Sequence, residues 1–559
     1  MTAHPTDHER ARTTDTDAMR GDRPSNGHVG TEPGRSVPAS TRATDDALTR
    51  LDAPRARRVG ESLVGDGSPA AEHDKTDSSA TPTATSHRGR PSIATQIVQL
   101  VQTAARELCH DGDGNAYIRY GEPHIETWPL DSRHAREWIS HAYYRTYSSA
   151  PRAPALADAI ATLSGIARYT KPQCDIHLRT AYVHARVIHD VCDDHWRAVT
   201  ITSSGWSINA SPVIFRRPAA ARAIPEPVYG GAISDVIDRL DLPTVDAYHV
   251  ISWIVATIIG DAPVPVLELS GPAGAGKTTL LRRIRSMVDP HEADARAAPR
   301  SVEDLYVSAR HSYVVAADNI SHVSPEMSDA LCVLCTGGGY ARRTLYTTDD
   351  ETVLRARRPI IVTGVTPIIT ASDLLDRAIA IALRVRDDVH RDTEVALARE
   401  WESALPAMMG AIYDTVAAVL RERSATRLPA PPRMADYAVI GETVSRICGW
   451  TSYADVYTAH RRDLAARGVE SSPVATALLA YLQSVTSYAG PVGVLAAKLQ
   501  CYRIDSDAWP RSARGVADAI RRAAPGLASA GLIVEWDPVR RRDGYQVTVR
   551  RGPDWISET

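Results

Sequence analysis

Residues 271–279 read G-P-A-G-A-G-K-T-T, inside the longer run VPVLELSGPAGAGKTTLLRRI. The spacing G-x-x-x-x-G-K-[ST], met by Gly271, Gly276, Lys277 and Thr278, suits one task. A loop that wraps a phosphate with its own N–H groups must keep side chains out of the way. Gly271, Pro272, Ala273, Gly274, Ala275, Gly276, Lys277, Thr278 and Thr279 are therefore the candidate ATP-binding segment. In such a loop the ammonium of Lys277 reaches the β- and γ-phosphates, and the hydroxyl of Thr278 binds Mg²⁺. The apolar run before the loop predicts a strand, and the run after it predicts a helix whose N-terminus favours an anion.

Three further polar residues punctuate apolar runs downstream. SYVVAADNIS (312–321) predicts a second buried strand ending at Asp318, a candidate for water-mediated Mg²⁺ ligation; an ordinary turn aspartate would look similar. Asn319 follows it, and an amide orients water but takes no proton at neutral pH. Glu326 or Asp329 would then be the alternative bases. RPIIVTGVTP (358–367) predicts a third strand, with Thr363 facing the γ-phosphate or the attacking water. Arg377 stands at the lip of a fourth; it is either a cation offered to a neighbouring subunit's nucleotide or half of a surface pair with Asp376.

These residues need a parallel sheet to bring them together. Strands and helices alternate from about 232 to 390, which predicts an α/β domain with a P-loop NTPase core. An α+β module is expected over 92–231, ending in the Pro-rich linker RRPAAARAIPEPVYGG. Residues 1–91 are rich in Thr, Asp, Arg, Pro, Ser and Gly and predict a disordered tail. The break RLPAPPRMAD divides an ATPase domain at 232–426 from a C-terminal region at 427–559.

Between the second and third strands lies LCTGGGYARRTLYTTDDETVLRARRP, with Gly337, Gly338 and Gly339 permitting a sharp turn into a ribbon. The order of phosphate loop, Asp strand, glycine-led basic ribbon, polar-ended strand and arginine resembles the AAA+-type ATPase core of superfamily three helicases. This is the phage, plasmid and poxvirus primase-helicase kind. The resemblance runs over about 230–390 and more faintly to the C-terminus. In that family a β-hairpin points into the channel of a hexameric ring and grips DNA phosphates. The resemblance thus implies Arg342 and Arg343 as DNA contacts, Tyr346 behind them, a homo-oligomeric ring, and Arg377 acting in trans. Two positions depart from the family: Asn319 stands where a second acid is usual, and Thr363 where asparagine is common. Both bear on the rate of hydrolysis more than on nucleotide binding.

Residues 473–551 predict three helices and a two-stranded ribbon turning at Asp543-Gly544, the order of a winged helix. Arg514, Arg521 and Arg522 on its third helix, with Arg540, Arg541 and Arg542 on the wing, form a local basic patch for DNA. A winged helix that contacts protein instead is the alternative.

The net charge of −3 and pI near 6.7 give no overall pull toward nucleic acid, so binding must rest on such patches. Lys277 is one of four lysines among 64 basic residues, which makes its placement after the glycines informative. Seven scattered cysteines suit a reducing cytoplasm. The longest apolar run, VISWIVATIIG, is too short to span a bilayer, and no membrane partner is expected. Cys174-x-x-His177 and Cys192-x-x-His195 carry zinc-type ligands but lie in ordinary strand patterns, and Cys332-x-x-Cys335 reads as helix packing. The expected function is an ATP-dependent DNA helicase-like motor or remodeller for a mobile element's replication. The alternatives are an ATP-gated DNA-binding switch with little hydrolysis and a host-defence ATPase.

Overall fold

Val266, Leu267, Glu268, Leu269 and Ser270 are all buried, because this strand has helices on both faces of its sheet. The computed structural model describes residues 91–343, 351–385, 393–503, 509–539, 541–542, 544–553 and 555.

The central elements, in chain order, begin with helix α1 (Thr244–Ile259), strand β1 (Val266–Ser270), α2 (Lys277–Val288), β2 (Arg296–Ala297) and α3 (Val302–His311). They continue with β3 (Val315–Asp318), α4 (Pro325–Thr336), β4 (Gly339–Arg343), β5 (Glu351–Arg355), β6 (Ile360–Gly364), α5 (Ser372–Leu375) and β7 (Ala378–Ala382). Five strands pair in the order β2-β3-β6-β1-β7, every pairing parallel. β1 is flanked by β6 and β7, so the chain crosses over the strand that carries the glycine loop. Ligands of such sheets bind at the carboxyl ends of the strands, where the order reverses.

Period-two alternation sorts the sheet's side chains into two apolar layers. Leu267, Leu269, Ala316, Ile361, Ile379 and Ile381 pack with α1 and α2. Val266, Val315, Ala317, Ile360, Val362 and Ala378 pack with α3, α4 and α5.

The N-terminal region is two structures. Residues 93–167 close their own small core of three helices and the antiparallel strands Glu107–His110, Ala116–Tyr120 and Glu126–Pro129. The four-stranded meander spanning Thr180–Val183, Arg186–Asp190, Arg197–Thr202 and Gly205–Ala210 instead shares the central core, through Val187, Val199, Ile201 and Trp206. A buried polar network also ties it there. The Arg179 guanidinium meets the Asp289 carboxylate at 2.9 Å, and the other oxygen of Asp289 accepts from the N–H groups of Tyr313 and Val314. Asp289 caps the end of α2, so the meander is anchored to the helix that starts at the glycine loop.

The apolar packing also divides the C-terminal region away from the Pro-rich break. The long helix α6 (Glu394–Glu422) is followed by α7 (Ala435–Cys448) and α8 (Tyr453–Glu470), and Tyr437, Val444, Tyr453 and Tyr457 belong to the central core. A new core begins at Val469. It comprises α9 (Pro473–Ser484), β8 (Ser487–Pro491), α10 (Val492–Leu499), α11 (Ala513–Ser529), β9 (Leu532–Trp536) and β10 (Gln546–Arg551). The sheet is antiparallel in the order β8-β10-β9, so a third strand joins the expected ribbon. α11 lies tightly on α8: a Cβ at Gly526 would sit 2.6 Å from the Ala465 carbonyl oxygen. Helix α6 has the length and apolar composition of a membrane span, yet 67% of its most apolar window is buried within the protein, as in a core helix.

Candidate functional site

The glycine loop follows β1 and leads into α2. Gly271 adopts φ +148 and a Cβ there would lie 2.3 Å from the Leu383 carbonyl oxygen, so only glycine fits. Gly274 and Gly276 take φ +80 and +81, where side chains are strained, and added Cβ atoms would meet open space. Helix α2 begins at Gly276 without a side-chain cap, whereas Ser301 and Ser324 cap α3 and α4. Its first-turn amides are thus left to a ligand or water. The Lys277 ammonium folds back onto the carbonyls of Gly271 and Pro272, each at 2.8 Å.

Thr278, in the first turn of α2, donates its hydroxyl to both oxygens of Asp318 at 3.2 and 3.0 Å. Asp318 closes β3, and the neighbouring strand β6 supplies Thr363, whose hydroxyl also donates to Asp318. Thr363 Oγ1 in turn accepts the Asn319 N–H at 2.9 Å. Lys277, Thr278, Asp318 and Thr363 therefore meet at the carboxyl end of the sheet. The oxygen-only pair of Thr278 and Asp318 suits a small hard cation such as Mg²⁺. The open glycine loop with its lysine suits a triphosphate.

Thr363 is fully buried, and its hydroxyl is engaged by Asp318 and Asn319, so this geometry turns it toward the aspartate. Asn319 is exposed and adopts φ 58, a left-handed conformation that asparagine tolerates better than most residues. Thr279 continues the first turn of α2.

Arg377 is elsewhere. It precedes β7, and its carbonyl accepts the Val266 N–H at the start of β1, whereas Leu383 beyond β7 bonds Ser270 at the loop end. At about 3.3 Å per residue the two ends lie roughly 20 Å apart. An arginine there does not reach its own chain's loop. Arg377 pairs with Asp373 at 2.6 Å; the expected partner Asp376 binds Arg461 and Arg433 instead.

The glycines before the ribbon have separate jobs. Gly337 ends α4 at φ 95, and Gly338 passes so close to Val333 that a Cβ would sit 2.4 Å from its Cγ1. Gly339 opens β4, which pairs antiparallel with β5, Arg342 opposite Thr352 and Arg343 opposite Glu351. Tyr346 lies outside the described residues. The ribbon joins the sheet at the amino ends of its strands, opposite the glycine loop, since the Pro359 carbonyl accepts the N–H of Val315, the first residue of β3.

In the C-terminal region Arg514, Arg522 and Arg542 are exposed. Arg521 lies over the ring of Trp536 at 4.2 Å and bonds Asp518, and Arg541 pairs with Asp537. Arg540 lies outside the described residues. Among the described residues no group of three or more His, Cys, Asp and Glu is placed to hold a metal. Cys332 and Cys335 are buried, and that burial pushes their thiols up to about 12 and about 11, out of the reactive range.

Two polar residues near the loop, Glu268 and Arg467, form an ion pair that the sequence reading missed. Glu268, fully buried in β1, accepts the N–H groups of Ile368 and Ile369 beyond β6 and pairs with Arg467 of α8. Only an acid interrupting an otherwise apolar strand hinted at it.

Residues 242–466 match the family model of the actinomycete integrative conjugative element replication protein, and residues 474–553 match that of the AICE RepA C-terminal domain. The join between the two matches falls close to where the second core begins. Among solved structures, SCCmec type IV Cch, described as an active helicase, superposes with a TM-score of 0.42 at 11% identity over 80% of this chain and 92% of that one. The C-terminal region of NrS-1 superposes with 0.38 at 10% identity over 82% and 99%. The JCV helicase reaches 0.22 at 14% identity over 41% and 63%. No curated protein matches the chain.

Proposed function

We propose that this chain is an ATP-dependent DNA helicase-like motor or remodeller that replicates an integrative mobile element. The observation that carries the reading is the convergence of Lys277, Thr278 and Asp318 at the carboxyl end of a parallel sheet. The match of 242–466 to element replication proteins supports the biological setting.

In this reading the core is of the AAA+ kind and the C-terminal module is a winged helix. The amides of residues 271–279 and Lys277 hold the ATP phosphates, and Thr278 with Asp318 holds Mg²⁺, which supplies charge neutralisation at the transferred phosphoryl. Thr363 orients Asp318, and Asn319 orients water. Arg377, too far from its own loop, serves the nucleotide of an adjacent protomer in a homo-oligomeric ring. Arg342, Arg343 and Tyr346 of the ribbon, with Arg514, Arg522 and Arg542 of the C-terminal module, contact DNA phosphates. Arg521, Arg540 and Arg541 belong to the same surface, Arg521 bracing the wing through Trp536.

DNA-stimulated ATP hydrolysis that Lys277→Ala abolishes is the expected result. An oligomeric preparation showing neither stimulation nor unwinding overturns the motor. Arg377→Ala subunits mixed with wild type should depress activity below the average of the two, since each removes a cation from a neighbour's site.

The second reading, an ATP-gated DNA-binding initiator or regulatory switch, is favoured by Asn319, which cannot act as a base. Single-turnover hydrolysis separates the two, because a switch holds ATP through many motor cycles.

A further inference from the structure

A cleft of about 430 Å³ opens between the N-terminal region and the amino ends of the sheet strands, well away from the phosphate loop. Three guanidiniums from separate parts of the chain line it. Arg216 follows the strand Ile214–Phe215, Arg310 lies in the last turn of α3, and Arg358 lies in the connector from the ribbon strand β5 into β6. None has a carboxylate partner among the described residues. Arg216 donates to the Arg310 carbonyl, and Arg358 donates to the carbonyls of Ala309 and Arg357 at 2.9 Å each.

Burial and the like charges Arg216 and Arg357 lower Arg358 to about 10, still cationic at neutral pH; the Asp289 carboxylate opposes that shift, but it is paired with Arg179. A largely desolvated cation with no carboxylate in direct contact among the described residues is a cost to the fold. The acids that line the cleft do not relieve it. The Asp111 carboxylate is taken up by its own loop, accepting from the N–H groups of Asp113 and Asn115 and from the Tyr117 hydroxyl. Asp113 and Asp175 are exposed. Three guanidiniums without an acid partner among the described residues, two of them held by backbone carbonyls, in a cleft of ligand-binding size, describe an anion site.

We infer that this cleft receives backbone phosphates of a nucleic-acid strand, which passes from the root of the β4–β5 ribbon between Arg216, Arg310 and Arg358. The occupant follows from position: Arg358 is three residues beyond β5, so a strand held by the ribbon meets the cleft next. This extends the DNA-binding reading above and rests on it.

The test is fluorescence anisotropy of the full chain with a labelled oligothymidine, and with a labelled duplex of equal length, across a salt series. Arg216→Ala/Arg310→Ala should weaken single-strand binding about tenfold at low salt. It should also shallow the slope of log K against log salt by up to about 1.4, at roughly 0.7 for each single-strand phosphate that is no longer neutralised. Affinity for a fluorescent ATP analogue should not change. Equal losses on the duplex would assign the phosphates to duplex DNA. Unchanged affinity and slope on both probes overturn the inference, as does a wild-type chain that binds neither. The ATP-analogue arm separately judges the phosphate loop, so failure of the cleft and failure of the ATPase reading are distinguishable. Arg216→Lys/Arg310→Lys should restore most of the slope, which a merely structural role would not require.

Discussion

Arg467, near the end of α8, sets its guanidinium against the Glu268 carboxylate in the middle of β1, the strand that leads into the glycine loop. The same guanidinium reaches the Ile369 carbonyl, and Glu268 holds the Ile368 and Ile369 amides. One buried ion pair thus joins the loop's strand, the segment after β6 and the helix on which the C-terminal module rests.

Removing one half of that pair should be costly, because a charge stays behind in a site that excludes water. Arg467→Met is expected to destabilise the chain by about 3 kcal/mol, the low end for a broken buried pair since Arg467 keeps some exposure. Adding Glu268→Gln retains an acceptor for the two amides and should recover more than half. Urea midpoints of the three proteins check it; a double variant no better than the single one sinks the explanation.

Thr363 tests whether the aspartate needs its orientation. Thr363→Val keeps the buried shape and deletes the hydroxyl that donates to Asp318 and accepts from Asn319. Losing a hydrogen bond to a charged group costs about 1.5–3 kcal/mol, so hydrolysis should fall roughly ten- to a hundredfold if the full cost appears in the barrier. Nucleotide affinity without Mg²⁺ should stay within a few-fold, and Thr363→Ser should restore the rate. Equal rates in Thr363→Val and wild type would remove Thr363 from the site.

Acid should loosen the core before most carboxylates titrate. His249 and His460 are stacked aslant with ring centres 4.6 Å apart, and His460 Nε2 accepts the Ala380 N–H of the edge strand. Burial lowers His249 to about 3 and His460 to about 4, from an ordinary 6.5. His189, between Tyr413 and the Val288 carbonyl, is likewise lowered to about 3. As pH falls below 6.5 the unfolded chain takes up these protons first. Stability is therefore complete above that pH and declines steadily toward about 4. Urea midpoints at pH 7.5, 6 and 5 should fall in that order, and His249→Phe should shallow the decline. A flat profile contradicts the assignment.

The glycine loop between a strand and a helix was legible in the residue order alone, because its form lies in nine consecutive residues and in glycines at conformations or close approaches that a side chain would strain. The alternation of β1, β3, β6 and β7 with helices was legible too, since each strand announces itself by a short apolar run. The strand β8 was not: SYAGP carries a glycine and a proline, and only its pairing with β10 makes it extended. The Pro-rich break at 427–436 read as a domain boundary, yet the tyrosines of α7 and α8 complete the central core beyond it.

By itself, then, the order of residues determined the strand–glycine loop–helix unit and the presence of a parallel α/β core, both set by local sequence and hydrophobic period. Tertiary structure alone decided which strands became neighbours. It set Thr363 beside Asp318, Glu268 beneath Arg467, and Arg377 at the far end of the sheet from its own loop. Those partners are distant in the chain, and strand order and close packing, rather than spacing, bring them within reach.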